Sequence, residues 1–387
     1  PDDRVTIEQL MERINELEHQ VQALESAGTP TAPSDSPASS PRGSSTPAQA
    51  QPESHDMPSP AGLGALQIRG FNDIDYIAGQ DNGAPNTFKI GQLDLFLSSK
   101  LPNDFSMVGE VVIEAGSDNA IGVDLERLLL QYAPSDWFNI AAGRYHTSIG
   151  YYNVTYHHGN WFQTATGRPF IFRFEDGGGI LPVHNVGVTA QGQIPSGDLG
   201  LRYVAEIGNG RRSRSPTDEP VQNAADENAH KAFNLALLTR PLKLPGFQAG
   251  VSVYRDHLTP EGQAAIGETI LAFHAIYQSP IFEQLNEAIF IRHAPDGSPA
   301  ATTTSAYTQI SRQFDRYRPY FRFEYLNIPP EDPDAVFHAD AGRSYGPSIG
   351  LRFDAAPPVA IKAEYTRFRG PISNQTTGLI IQLAFTF

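Results

Sequence analysis

The last nine residues, Leu379-Ile380-Ile381-Gln382-Leu383-Ala384-Phe385-Thr386-Phe387, decide the fold. Taken alternately, one face is Leu379, Ile381, Leu383, Phe385 and Phe387, and the other is Ile380, Gln382, Ala384 and Thr386. A period of two with one apolar face belongs to a β-strand. Residues 345–354 repeat it, with Tyr345, Pro347, Ile349, Leu351 and Phe353 opposed to Gly346, Ser348, Gly350, Arg352 and Asp354. In residues 317–326, Tyr317, Phe321, Phe323 and Tyr325 oppose Arg318, Tyr320, Arg322 and Glu324. Residues 199–208 set Leu199, Leu201, Tyr203, Ala205 and Ile207 against Gly200, Arg202, Val204, Glu206 and Gly208. Aromatic residues gather near the strand ends. Apolar outward, polar inward and aromatic at both rims is the pattern of a transmembrane barrel.

A soluble sandwich alternates too, so strand number and connections carry the decision. Sixteen segments have the roughly 9 to 11 residues that a tilted spanning strand needs. They start near residues 64, 86, 105, 121, 137, 184, 198, 231, 247, 267, 282, 304, 317, 344, 359 and 376. Short connections rich in Pro, Asp, Gly and Ser fall at 100–104, 133–136, 195–198, 241–246, 279–283, 314–316 and 355–358. They alternate with long ones at 79–86, 115–120, 154–183, 208–230, 256–265, 293–304, 327–344 and 368–376. A barrel with tight turns at one rim and long loops at the other requires this alternation, and a sandwich does not. An even count returns both barrel ends to the turn side. Facing stays open where the alternation breaks, at Leu128-Leu129-Leu130, 137–146 and 281–292.

Composition agrees once half of each strand faces water. The 387 residues are 40% hydrophobic with no Cys, and no run reaches the roughly 20 apolar residues of a spanning helix. Absence of Cys removes disulfide scaffolds, thiolate metal centres and thiol catalysis. A net charge of −15 argues against nucleic-acid binding. Residues 1–62 hold 3 basic and 10 acidic residues, a net of −7, which leaves −8 for the remainder.

The chain begins differently. Ile7, Leu10, Ile14, Leu17, Val21 and Leu24 step by three and four, the core seam of a coiled coil over residues 1–26. So narrow a stripe on a single helix cannot bury itself and needs partner chains. Residues 27–62, rich in Pro, Ser, Ala and Thr, read as a linker, and Ser54-His55-Asp56 within it has no fold to assemble a triad. Residues 63–387 are the barrel. Pro1 follows no charged and apolar leader, so the chain is read as mature after signal removal.

On these residues the chain resembles a Gram-negative outer-membrane porin. Its terminal Gln382-Leu383-Ala384-Phe385-Thr386-Phe387 looks like the signal such barrels present to the barrel assembly machinery, with Phe385 and Phe387 as its alternate aromatics. The order of coiled coil, linker and sixteen-stranded barrel is similar to the phosphate- and polyphosphate-selective porins. The resemblance implies a homotrimer among outer-membrane lipids, one pore per protomer, and a third extracellular loop folded into the lumen. The coiled coil would then lie in the periplasm, with cell-wall contact as one of its roles.

That third loop is residues 154–183. It is long and unusually aromatic, as packing against an inner wall demands. Arg168 and Arg173 are its cationic candidates for the constriction, and Glu175 and Asp176 its anionic ones. On the wall, Arg202, Arg318, Arg322, Glu324, Arg352, Lys362 and Glu364 face the lumen; Arg318, Arg322, Arg352 and Lys362 come from three neighbouring strands and would form a basic stripe, at odds with the acidic body. His157-His158 lacks the companions of a metal site, and Arg211, Arg212 and Arg214 with Asp218, Glu219, Asp226 and Glu227 read as a solvated loop. No cofactor or catalytic motif is present. The expectation is a passive channel for small hydrophilic solutes, with a membrane-to-wall tether as the alternative.

Overall fold

The computed structural model describes residues 64–79, 86–116, 120–156, 159–174, 179–213, 225–332, 341–371 and 378–387. The coiled-coil seam and linker lie outside these residues, as do His157, His158, Glu175 and Asp176. Sixteen strands are described: β1 (Gln67–Ala78), β2 (Thr87–Lys100), β3 (Phe105–Ala115), β4 (Ile121–Ser135), β5 (Phe138–His146), β6 (His184–Gln193), β7 (Leu201–Gly208), β8 (Ala232–Thr239), β9 (Phe247–Leu258), β10 (Ile266–Gln278), β11 (Phe282–Pro295), β12 (Ala301–Arg312), β13 (Tyr317–Ile328), β14 (Gly342–Ala356), β15 (Val359–Thr366) and β16 (Gly378–Thr386). Each pairs antiparallel with its sequence neighbours, and β1 closes on β16 from Phe71↔Thr386 to Ala78↔Leu379. Closure leaves no unpaired strand edge.

The facing follows the alternation. On β16, Leu379, Ile381 and Leu383 are exposed outside while Gln382 and Ala384 are buried inside. Outward Ile349 and Leu351 on β14, and Phe321 and Phe323 on β13, continue the belt. Aromatic pairs mark its turn-end margin: Phe105 with Tyr132 at 4.8 Å, Tyr317 with Phe353 at 4.9 Å and Tyr277 with Phe282 at 6.1 Å between ring centroids. Tyr76 with Phe88 at 4.9 Å marks the loop-end margin. Soluble monomers rarely expose a contiguous apolar belt of this kind, and hydrocarbon is the solvent that suits it. One interruption stands out on β11 and β12, where Asn286 accepts a hydrogen bond from Thr308 at 2.8 Å and donates to Ala275 O at 3.0 Å on the exposed outer face.

The undecided strands resolve in register. Leu128 and Leu130 point outward, while Leu129 lines an inner cavity. A bulge opposite Glu110 and Val111 shifts β4 by one residue, which lets both Glu126 and Arg127 turn inward. At the turn rim Asn103 and Asp104 both take left-handed conformations (φ 58° and 63°), the requirement of a tight two-residue reversal. The connection expected at 293–304 contracts to 296–300, because β11 and β12 pair as far as His293↔Ala301.

Gly143 on β5 has φ +134°, and a Cβ there would lie 1.9 Å from Leu128 O across the β4 ladder. Gly143→Val is expected to lower the temperature at which the folded band in detergent gels converts to the unfolded one. The backbone conformation alone accounts for about 1–3 kcal/mol.

Candidate functional site

The connection between β5 and β6, residues 147–183, is built from the barrel wall inward. His146↔His184 ends the β5–β6 ladder, and Thr147 N then donates to Val183 O at 2.9 Å, so the loop leaves and re-enters at one point. Asn153 Nδ2 donates to Thr147 O at 2.9 Å and braces that neck. Ser148 N donates to both oxygens of Glu206 on β7, at 3.0 and 3.2 Å. Gly150, at φ +74°, lets the wall come close: a Cβ there would meet Glu287 Oε2 at 2.4 Å. Glu287 on β11 accepts Tyr151 N at 2.6 Å, Tyr152 N at 2.9 Å and the Tyr307 hydroxyl at 2.7 Å. A buried carboxylate with three donors here serves as an external cap for the short helix α1 (Tyr152–Thr155).

An apolar core beneath the loop explains its aromatic content. Tyr152, Phe172, Ile180, Leu181 and Val183 pack on inward Tyr254, Ile270, Leu285, Ile289, Ile291 and Tyr307. Burial pushes the Tyr152 and Tyr156 phenols above their ordinary range, so they stay neutral donors. Tyr152 donates to Gln163 Oε1 at 2.8 Å, and Tyr156 donates to Glu283 Oε2 at 3.1 Å. Thr164 donates to Glu283 Oε1 at 3.0 Å.

The second half of the loop crosses to β13–β16. Lys362 Nζ donates to Asn160 O and to Ala165 O at 2.9 Å, and Arg352 Nη1 to Trp161 O and to Gln163 O at 2.9 Å. Gln382 donates to Thr166 O at 3.1 Å, and Arg322 Nη1 to Gly167 O at 2.8 Å. In return Phe170 N donates to Glu324 Oε2 at 2.6 Å. The wall thus sorts itself by charge: its cations take loop carbonyls and its carboxylates take loop amides, bonds worth roughly 1.5–3 kcal/mol each. Phe71 against Phe162 at 4.8 Å and Phe170 against Phe368 at 4.3 Å complete the seat.

The stripe of Arg322, Arg352 and Lys362 therefore meets the loop rather than open lumen. Lys362 is 0% exposed. Arg322 also pairs with Glu324 at 2.9 Å and approaches Glu364 at 4.0 Å, and Arg352 pairs with Asp354 at 2.7 Å. Arg318 sits apart, donating to Gln313. Arg168 is bound within the loop, donating to Tyr156 O at 3.0 Å, Asn153 Oδ1 at 3.1 Å and Phe172 O, and stacking 4.2 Å over Phe174. Arg173 stacks over Phe170 at 4.9 Å. Arg211, expected in a solvated loop, is instead buried. It pairs with Glu268 at 2.8 Å, and Glu268 also meets His293, which reaches Asp332. The inward carboxylates on β10 and their neighbours supply the partner that draws it in.

Two cavities flank the loop. The larger, about 630 Å³, lies toward the loop end against β1–β3 and β13–β16. Charges of both signs line it, with Asp73, Asp75 and Glu114 facing Lys89, Arg168 and Arg173. The smaller, about 310 Å³, lies toward the turn end against β4–β10 and includes Arg127, Arg202 and Arg240. Among the described residues no group of three or more His, Asp or Glu side chains is placed to hold a metal ion.

Of the anchors of the loop's first half, the alternation places Glu206 on the inward face without marking it as a loop contact, and it misses Glu283 and Glu287. Glu283 and Glu287 fall in 281–292, where inward Leu285, Ile289 and Ile291 are as apolar as the outward residues, so no alternation marks the facing. A carboxylate recurring every fourth residue beside a Tyr-rich loop is the signal that was available.

No protein-family model matches the chain, and no curated protein matches it in sequence. Solved structures do match in shape. An anion-selective porin from Comamonas acidovorans aligns with TM-score 0.58 at 10% identity, covering 84% of this chain and 99% of that one. The outer membrane channel DcaP of Acinetobacter baumannii aligns with TM-score 0.58 at 12% identity, covering 85% and 99%. Salmonella typhi OmpF, in complex with daunomycin, aligns with TM-score 0.57 at 10% identity, covering 84% and 97%. At such identities the likeness is one of fold: the barrel is of the porin type.

Proposed function

We propose that the chain is an outer-membrane porin through which small hydrophilic solutes diffuse passively, and that it catalyses no reaction. The observation that carries this reading is that the described residues of the 147–183 loop lie inside a closed barrel, tied to β7, β11 and β13–β16, with a cavity on either side. A low-dielectric throat bearing fixed charges filters by size and charge without moving parts. In this reading Arg168 and Arg173, together with Glu175 and Asp176, set the charge of the constriction. The tight turns face the periplasm and the long loops the outside.

Residues 1–26 form a periplasmic coiled coil, residues 27–62 link it, and residues 63–387 are the barrel. Three copies assemble, and the Asn286–Thr308 pair gives the lipid belt one place that a protein neighbour satisfies better than hydrocarbon. Kinship with the phosphate-selective porins rests on the order of coil, linker and barrel.

Liposome swelling tests the channel. Proteoliposomes of the full chain in an isotonic monosaccharide should swell, and those in a tetrasaccharide should swell far more slowly. Equal and negligible rates for both, with the barrel folded, would remove the reading.

A further inference from the structure

We propose that the turn-end chamber is a binding site for small oxyanions, held between Arg202 and Arg240. The inference rests on the channel reading but concerns a different place from the constriction. Arg202 points inward from β7 and pairs in register with Leu238 on β8, two residues before Arg240. Diagonal neighbours across a ladder stand about 7–8 Å apart, so the two guanidinium groups share one patch of wall. Arg240 Nε donates to Gln248 Oε1 at 2.5 Å, which leaves both its terminal amino groups unengaged among the described residues. The Arg202 guanidinium has no hydrogen-bond or ion-pair partner among the described residues.

Two adjacent cations normally come with a carboxylate, because an uncompensated pair repels itself. Here Glu206, the one carboxylate among the chamber's lining residues, is already committed. Glu206, four residues along β7 from Arg202, is filled by Ser148 N and by Asn234 Nδ2 at 2.8 Å. Glu110 is paired with Arg127, and Glu283 accepts from Tyr156, Thr164 and Gln309. On the adjoining turn Asp198 pairs with Lys243 at 2.5 Å. Apart from Arg127 and His146, which lie against Glu110, the remaining lining carries no charge and is rich in hydrogen-bonding groups such as Thr189, Gln191 and Ser252.

A chamber of about 310 Å³ is at the small end of ligand pockets. Its chemistry, two guanidinium forks and several neutral groups, suits carboxylate or phosphate oxygens, which take paired N–H donors. The loop-end cavity lacks this imbalance, since its cations face Asp73, Asp75 and Glu114. A permeating dicarboxylate would pause at the turn end and obstruct the flow of smaller ions.

Planar-bilayer recording of the full chain in KCl, with succinate or inorganic phosphate as the added probe, tests this. Succinate should reduce the current reversibly at millimolar concentration. The Arg202→Gln/Arg240→Gln pair should weaken that block by roughly tenfold or more while the KCl step persists. Arg202→Lys/Arg240→Lys should retain part of it, which separates lost charge from lost folding. Block by phosphate as well identifies a general oxyanion site; block by succinate alone identifies a dicarboxylate site. A conducting channel that neither probe blocks, or one blocked equally before and after the Gln substitutions, overturns the site while leaving the porin reading intact. Absence of any conductance would instead strike the porin reading.

Discussion

Replacing residues 159–174 by a short Gly-Ser linker is expected to raise single-channel conductance severalfold while the barrel still forms. The wall does not depend on the loop for closure. β5 and β6 pair directly from Asn139↔Gln191 to His146↔His184, and β1 closes on β16 without it. What the loop occupies is the lumen, where its carbonyls from Asn160 to Gly167 meet Arg322, Arg352, Lys362 and Gln382. Without the loop these side chains face water, so the penalty for losing their partners is largely met by hydration. The freed cross-section carries ions, and the charge filter at the throat goes with it. Shortened channels that conduct no better than the complete chain would mean that ions do not pass beside this loop.

Lys362→Met should produce the second largest change, in a chain that still has its loop. Lys362 is fully buried and donates to two carbonyls five residues apart, Asn160 O and Ala165 O. Methionine matches its volume but supplies no donor and no charge. Both carbonyls then lose a partner beneath the loop, next to the carboxylates of Asp73 and Glu364. Removing one side of a buried charged contact costs roughly 3–5 kcal/mol. The β15–β16 ladder is unaffected, so the cost falls on loop docking. Noisy open-channel currents and faster proteolysis near residues 159–167 are the expected readouts, with Lys362→Arg restoring much of the quiet state. A Lys362→Met channel as quiet and protease-resistant as the parent would show that the loop is held by its apolar core alone.

Where one face of a strand meets hydrocarbon and the other meets water, residue chemistry states the facing outright. Leu379 to Phe387 and Tyr317 to Leu326 are such strands, and each predicted strand start falls within three residues of the observed one. Beneath the loop the inner wall is itself a core. Leu285, Ile289 and Ile291 inside are then indistinguishable by polarity from Ala288 and Phe290 outside, and β11 loses its alternation. The loop's course was legible in part, because a segment with Tyr151, Tyr152, Tyr156, Trp161, Phe162, Phe170 and Phe172 has to pack on something. Its partners were not legible. Whether Arg322 and Lys362 serve a solute or a backbone carbonyl depends on where the loop peptides from Asn160 to Gly167 lie, and no spacing along the strands encodes that. Arg211 illustrates the same point, since its partner Glu268 is 57 positions away in sequence and adjacent only through the barrel's curvature.

The most direct test of the account is single-channel recording of the purified, folded chain in a planar bilayer at low voltage. Discrete, reproducible conductance steps in KCl, larger when residues 159–174 are removed, are the predicted result. A folded barrel that inserts and shows no steps at any voltage, with or without the loop, would contradict it.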